Sequence, residues 1–423
     1  MLVVLVISIA ASLLLTPAVR ILAWKLGAVS WPDGDRRLHG RPTALCGGIA
    51  VCLALFLSLG VAHWLGSLPG DGPTLLIGAG LPVLMLCLLG CLDDRYDLPA
   101  KWKLLGQTVS VVPVVFAGFC IDRLGGFGYE LSLGWLGVPV TIGWLVLGIN
   151  AMNLLDGMDG LASTAGIAVS LAIAAIAGSQ GHMDIALMAL ATAGALAGFI
   201  VHNRPPARIY LGDCGSMVLG FVVSLLAMRV ALVGPTTATA TVAVILFLLP
   251  LLDTGLAVLR RMLRGQSFMA ADRCHLHHRL LDQGFSVWQV LGLVCGFCAV
   301  TGAAAWQAAL AGHELSAIAV VGTMSVLVVN KRFAGHVEWD LIGQLVGQAG
   351  GATSRWLSPT RLAAWLQTGG RVATAPRGGD ALIGRDDGPR IIPMETHGFQ
   401  FEAKSGQVRD EDDVIAKEIR EAA

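Results

Sequence analysis

Apolar windows of roughly 20 residues, the length that spans a bilayer core, recur almost without pause up to residue 330. They lie near 2–24, 44–66, 74–92, 103–121, 137–152, 161–178, 184–201, 216–233, 237–259, 288–311 and 314–330. In hydrocarbon every backbone polar group must be satisfied within the segment, so such windows are expected to be helices. The chain is therefore predicted to be an all-α polytopic membrane protein with about eleven transmembrane helices. Composition agrees: 55% of residues are hydrophobic and 14% charged, whereas soluble domains carry about a quarter charged residues. Mean hydropathy is +0.70.

Charge placement gives the windows a direction. The first has no basic residue before it and has Arg20 and Lys25 toward its end, the reverse of a cleavable signal peptide. It reads as a retained helix with a periplasmic N-terminus. Counting crossings from there puts the connections 25–43, 93–102, 153–160, 202–215 and 260–287 on the cytoplasmic side, along with the C-terminus. Most basic residues fall in those connections, as the positive-inside rule asks, with Arg123 and Arg229 as the main exceptions. On the outer side, residues 122–136 alternate weakly between glycine clusters and suggest a small hairpin. Residues 1–332 thus form a membrane domain and 333–423 a cytoplasmic tail. In the tail, 335–367 suits an interfacial helix, 369–410 has a disordered composition, and 411–423 suits a short charged helix.

Lys and Arg balance Asp and Glu at 29 each, and no basic run interleaved with aromatics points to nucleic acid. Nine cysteines, mostly inside apolar windows, do not make a disulfide framework. Cys295-x-x-Cys298 has no second ligand pair and reads as lipid-facing or packing thiols. No internal repeat supports a transporter-type duplication.

Four polar clusters break the apolar pattern, all in connections assigned to one side. Carboxylates near hydrocarbon need a partner or a cation, so their gathering reads as a site for a charged substrate. Asp93-Asp94-x-x-Asp97 precedes Lys101 and Lys103. It can anchor a helix end, bind a cation, or order a phosphate-binding lysine. Asn150-x-x-Asn153-x-x-Asp156-Gly-x-Asp159-Gly160 puts amides and carboxylates at threefold spacing, largely on one helical face, with glycines that admit a ligand close to the backbone. Asp213, in Gly212-Asp-Cys-Gly-Ser216, opens a helix. It is a simple N-cap in isolation and a ligand group in company. His275-x-His277-His278, between Arg273 and Arg279, lacks the Cys or Glu that would complete a zinc set, and suits donors to a diphosphate or sugar. The loop from Asp33 through Arg36, Arg37 and His39 to Gly47-Gly48 is either a topology signal or the entrance for a phosphate headgroup.

In this order, these five motifs resemble the polyprenyl-phosphate N-acetylhexosamine-1-phosphate transferase superfamily (glycosyltransferase family 4), over roughly residues 25–330. The similarity is closest to bacterial undecaprenyl-phosphate α-N-acetylglucosaminyl 1-phosphate transferases. Eleven crossings with an outside N-terminus are also that family's architecture. The resemblance implies transfer of a sugar 1-phosphate, GlcNAc first among candidates, from a UDP-sugar to undecaprenyl phosphate, with UMP released. That is the first membrane step of an envelope polysaccharide, performed at the cytoplasmic face of a bacterial inner membrane. It implies Mg²⁺, with Mn²⁺ as substitute, held by Asp213 and Asn153, and catalytic roles for Asp93, Asp94, Asp156 and His277. Lys103 would contact phosphates and Asp159 would face the uracil. Arg273, His275, His277 and His278 would bind diphosphate and sugar, while Arg36, Arg37 and Asp97 would complete the substrate contacts. A homodimer is left open. Cys214 and Cys274 fall at variable positions of the motifs, and the tail lies outside the resemblance.

A lipid phosphate with a second pKa near 6 is largely dianionic at pH 7, which leaves little work for a general base. In-line attack, with Asp93 and Asp94 arranging Lys103, is therefore expected over a phosphoryl-aspartate route. Three rivals remain. A muramoyl-pentapeptide phosphotransferase of the same superfamily differs in its histidine loop. An intramembrane prenyltransferase needs a second D-D-x-x-D-like motif, and a transporter needs its polar groups near midplane.

Overall fold

The computed structural model describes residues 1–31, 42–68, 72–237, 239–265 and 275–329. Arg36, Arg37, His39, Arg273 and the whole 333–423 tail, with its expected helices, lie outside the described residues.

Every apolar window is helical. The chain runs through α1 (Leu2–Lys25), α2 (Gly48–Trp64), α3 (Gly72–Tyr96), α4 (Ala100–Phe116), α5 (Gly137–Leu155), α6 (Leu161–Ser179) and α7 (Met183–Asn203). It continues through α8 (Gly212–Leu232), α9 (Thr239–Leu246), α10 (Leu248–Leu263), the short α11 (Leu276–Asp282), α12 (Val287–Ala311) and α13 (Glu314–Val329). Among the described residues six of these helices are long and apolar enough to cross a membrane, or seven if α9 and α10 count as one broken span. The chain is thus an all-α polytopic membrane protein. The window expected at 237–259 is not one straight helix, because α9 and α10 meet at 79°. The cause is local. The Pro250 ring cannot share a helix with the carbonyl four residues earlier, and it is tolerated in α10 only because it sits in the first turn.

Among the described residues only two small antiparallel pairs interrupt the helices. Strands β1 (Val29–Ser30) and β2 (Thr43–Ala44) pair with each other, and Ala44 bridges to Ile209. Strands β3 (Arg123–Gly126) and β4 (Tyr129–Ser132) make the hairpin expected within 122–136. Its Phe127-Gly128 turn has positive φ at both residues, the geometry that matches strand twist in two-residue hairpins. Thr239 Oγ1 accepts from Gly125 N–H at 2.7 Å, and Glu314 Oε1 accepts from Phe127 N–H at 2.8 Å. These bonds fasten the hairpin to α9 and α13.

Helix α8 is apolar on all sides and is buried along nearly its whole length, as expected of a helix enclosed by others. Three helices press on it through contacts that admit no side chain. A Cβ at Gly90 of α3 would lie 2.3 Å from Cys214 Cα, one at Gly48 of α2 would lie 2.1 Å from Gly215 Cα, and one at Gly220 would lie 2.6 Å from the Gly148 carbonyl of α5. Membrane helices have no apolar-versus-water gradient to drive packing, so close backbone approach through small residues supplies the contact energy. Two of the three crossings involve Cys214 and Gly215. The ends of α2 and α3 are thereby fixed against the first turn of α8.

Gly90→Ala should destabilise the detergent-solubilised protein by about 1–3 kcal/mol, the usual cost of overpacking. Gly60→Ala, where a Cβ meets nothing within 4 Å, should not. Equal thermal midpoints for the two variants would contradict this packing account.

Candidate active site

The first turn of α8 is the centre of a polar cluster. Gly212 has φ +73°, and a Cβ there would lie 2.5 Å from Asp94 Oδ2. This close fit lets the Asp94 side chain, from the end of α3, cap α8. Its Oδ1 accepts from Asp213 N–H at 2.8 Å, and its Oδ2 accepts more loosely from Cys214 N–H and from the Cys46 thiol, each at 3.4 Å. Helix N-termini leave amides without partners and carry partial positive charge, so a carboxylate placed there stabilises both.

Asp213 is held on both oxygens. Oδ1 accepts from Asn153 Nδ2 at 2.5 Å, and Oδ2 takes the Lys103 ammonium at 2.9 Å. Lys103 also reaches Asp93 Oδ2 at 2.5 Å, while Asp93 Oδ1 accepts from Leu98 N–H at 2.9 Å. Asn153 Nδ2 donates to Ser216 Oγ at 2.8 Å as well, which leaves Asn153 Oδ1 uncommitted among the described residues. One lysine thus bridges the ends of α3 and α8 from the start of α4. Asp94 does not join Asp93 in arranging Lys103; it orders the α8 terminus instead.

Asp156 caps the C-terminus of α5 through its N–H to the Met152 carbonyl, and its half-buried side chain makes no hydrogen bond among the described residues. Burial, followed by the nearby charges of Asp213, Asp94 and Asp159, raises its carboxyl well above the usual carboxylate range. Asp159 Oδ2 accepts from Ala207 N–H at 2.9 Å and ties this turn to the loop before α8. Asp97 is exposed, has a left-handed backbone (φ +50°), and makes no side-chain bond among the described residues.

His277 meets the same turn from α11. A Cβ at Gly157 would lie 2.5 Å from its Nε2, so only glycine admits this approach. The ring is 2% exposed, stacks at 6.1 Å on His275, lies tilted at 4.2 Å from His278, and neither ring nitrogen has a hydrogen-bond partner among the described residues. Burial, with His278 beside it, pushes the imidazole down to about 3. A neutral ring with free nitrogens facing a carboxylate-lined turn can donate one hydrogen bond to an anionic ligand.

The cluster contains residues that motif reading did not reach. Asp253 of α10 is 4% exposed. Its Oδ2 lies 2.9 Å from His275 Nδ1, and its Oδ1 accepts from Leu276 N–H at 2.8 Å. It orients the histidine segment as a carboxylate orients a metal-ligating or catalytic imidazole. A lone carboxylate in the window 237–259 was the available signal, since intramembrane ionisable residues are functional by default. Buried Asn203 accepts from Gly160 N–H at 3.1 Å and donates to the Ile209 carbonyl at 3.0 Å, holding the loop that delivers Gly212.

With this geometry in view, the comparisons with known proteins are specific. Residues 76–231 match glycosyl transferase family 4. The chain is 32% identical over 283 residues to the probable undecaprenyl-phosphate N-acetylglucosaminyl 1-phosphate transferase of Bacillus subtilis (strain 168), covering 66% of this chain and 77% of that one. It is 30% identical over 363 residues to the decaprenyl-phosphate N-acetylglucosaminephosphotransferase of Mycobacterium tuberculosis (strain ATCC 25618 / H37Rv), covering 77% and 88%. The chain belongs to glycosyl transferase family 4. It is also 29% identical over 287 residues to the undecaprenyl-phosphate α-N-acetylglucosaminyl 1-phosphate transferase of Escherichia coli (strain K12), covering 65% and 75%. The matched region of this family member runs from α3 to α8 and so contains Asp93, Asp94, Lys103, Asn153, Asp156 and Asp213.

Folded His277 stays unprotonated down to about 3, whereas an unfolded histidine takes up a proton near 6.5. The unfolded chain then binds more protons between those values, so His277 makes stability fall as pH drops through that window. His277→Gln should flatten the fall in thermal midpoint between pH 6.5 and about 4. An unchanged slope would contradict a buried neutral ring.

Proposed function

We propose that the chain transfers N-acetylhexosamine 1-phosphate, GlcNAc 1-phosphate foremost, from a UDP-sugar to undecaprenyl phosphate. UMP leaves, and a lipid diphosphate sugar remains as the first membrane product of an envelope polysaccharide. Family membership supports transferase chemistry, and the names of the three relatives support a polyprenyl phosphate acceptor and a GlcNAc phosphate donor. The observation that carries the reading is the charge balance of the cluster. Asp93, Asp94, Asp156 and Asp213 converge from the ends of α3, α5 and α8, and among the described residues Lys103 is the one ammonium bound among them.

Such an excess of carboxylates calls for a cation, and the donors present are hard oxygens. They fit Mg²⁺ or Mn²⁺, which take one or two carboxylates and complete their shell with water and substrate phosphate. Asp213 and the free Oδ1 of Asn153 would hold the ion. When bound it neutralises charge on diphosphate oxygens.

The remaining work belongs to the side chains. Lys103, fixed between Asp93 and Asp213, would offer its ammonium to a substrate phosphate bound beside Asp213. Both oxygens of Asp93 are engaged, by Leu98 N–H and by Lys103, which favours a positioning role over proton abstraction. Asp94 presets the α8 terminus, whose amides and dipole favour an anion. His277 offers a hydrogen bond to diphosphate or sugar, with His275 oriented behind it by Asp253. For the membrane arrangement, we keep eleven crossings, a periplasmic N-terminus and a cytoplasmic cluster in the inner membrane. The eleven helical windows and the sidedness of Lys and Arg support this.

The test incubates membranes carrying the full chain with undecaprenyl phosphate, Mg²⁺ and a panel of UDP-sugars. UMP release is expected with UDP-GlcNAc. Release only with UDP-muramoyl-pentapeptide would move the chain to that branch, and release with no UDP-sugar would defeat the proposal. In the same assay Asp93→Asn should lose on the order of 10²-fold in rate with an unchanged pH profile. Recovery along a steep alkaline limb would restore the general-base reading.

A further inference from the structure

Beside the acidic cluster, at Asp94, three thiols converge. Cys46 comes from the turn before α2, Cys91 from the last turns of α3, and Cys214 from the first turn of α8. Their sulfur atoms all lie within 4.8 Å of one another. All three are free thiols, with Cys46 and Cys214 buried and Cys91 partly accessible. Transferase chemistry leaves this group unused.

The convergence is built by the backbone. The glycine crossings at Gly90 and at Gly48–Gly215 bring α3 and α2 against Cys214 itself. Cys46 holds a left-handed backbone at φ +62° although glycines follow it directly, a conformation that costs a side-chain-bearing residue free energy and is retained where the surroundings require it. The Cys46 thiol donates to Asp94 Oδ2 at 3.4 Å, so a carboxylate oxygen stands at the edge of the sulfur triangle. Cys214 lies in the first turn of α8.

We propose that Cys46, Cys91 and Cys214 form a binding site for a thiophilic divalent cation of the Zn²⁺ class, with Asp94 as the oxygen donor within reach. Three thiolates and one carboxylate oxygen are ligand types that Zn²⁺ takes and match its usual coordination number of four. Zn–S bonds of about 2.3 Å imply sulfur separations of about 3.8 Å, so each thiol needs to move by no more than about 1 Å. Thiolates select soft or borderline ions, while the neighbouring Asp213–Asn153 oxygens suit hard ones. The two positions therefore discriminate by ligand chemistry although Asp94 borders both. An ion bound to the thiols ties α2, α3 and α8 together at one level, and stabilises the fold by linkage.

Full-length protein, purified in detergent under reducing conditions and stripped of metal, is titrated with Cd²⁺ alone. The expected result is uptake of one equivalent per chain, a thiolate-to-cadmium charge-transfer absorption, and a raised thermal midpoint. Cys91→Ser should lose all three, and Cys295→Ser, on the exposed face of α12, should keep them. If Cys91→Ser does not fold, Cys46→Ser serves in its place. No uptake by the folded wild-type chain, uptake undiminished in the serine variants, or a disulfide among the three cysteines with no uptake after reduction would each overturn the site. None of these readouts depends on sugar transfer.

Discussion

The first turn of α8 must be satisfied before the rest of the structure can be. Its free amides and partial positive charge sit against membrane helices, where an unpaired polar group is costly. Asp94 caps the amides, Asn153 and Lys103 hold Asp213, and Asp93 holds Lys103. The partners come from three other helices, so the network that satisfies one terminus also sets the mutual positions of α3, α4, α5 and α8. The glycine contacts at Gly48, Gly90 and Gly148 serve the same end. They let backbones approach closely enough for short aspartate and asparagine side chains to meet.

Charge and packing therefore pull in opposite directions here. Packing brings four carboxylates together, and the cost, felt at Asp156 through burial and then through the neighbouring charges, is only partly offset among the described residues by Lys103. A purely structural cluster would be expected to carry matching cations among its own side chains. Among the described residues the deficit instead leaves room for a cation and a polyanionic substrate, whose opposite charges would complete the balance.

Much of this arrangement is legible in the sequence, for identifiable reasons. Hydropathy marks the helices because the bilayer sets both their length and their composition, and Asn153 and Asp156 stand out because they punctuate apolar runs. Lys103 could be paired with Asp93 from proximity along the chain. Asp94's role could not, because its partners are the amides of residues 213 and 214. Asp253 was hidden inside an apolar window, where its meaning depends on His275 arriving from another segment. The thiol triangle was invisible for the same reason, since Cys46, Cys91 and Cys214 are unremarkable singly. The break between α9 and α10 was foreseeable from Pro250, but hydropathy windows do not register backbone hydrogen bonding.

The central claim is that Asp213, set by its neighbours, anchors a hard divalent cation. Electron paramagnetic resonance of Mn²⁺ added to the full chain in lipid nanodiscs measures this without any substrate. The account predicts Mn²⁺ bound to the wild-type chain, little or none bound to Asp213→Asn, and weakened binding to Asn153→Ala. Equal Mn²⁺ binding by the wild-type and Asp213→Asn chains would contradict it.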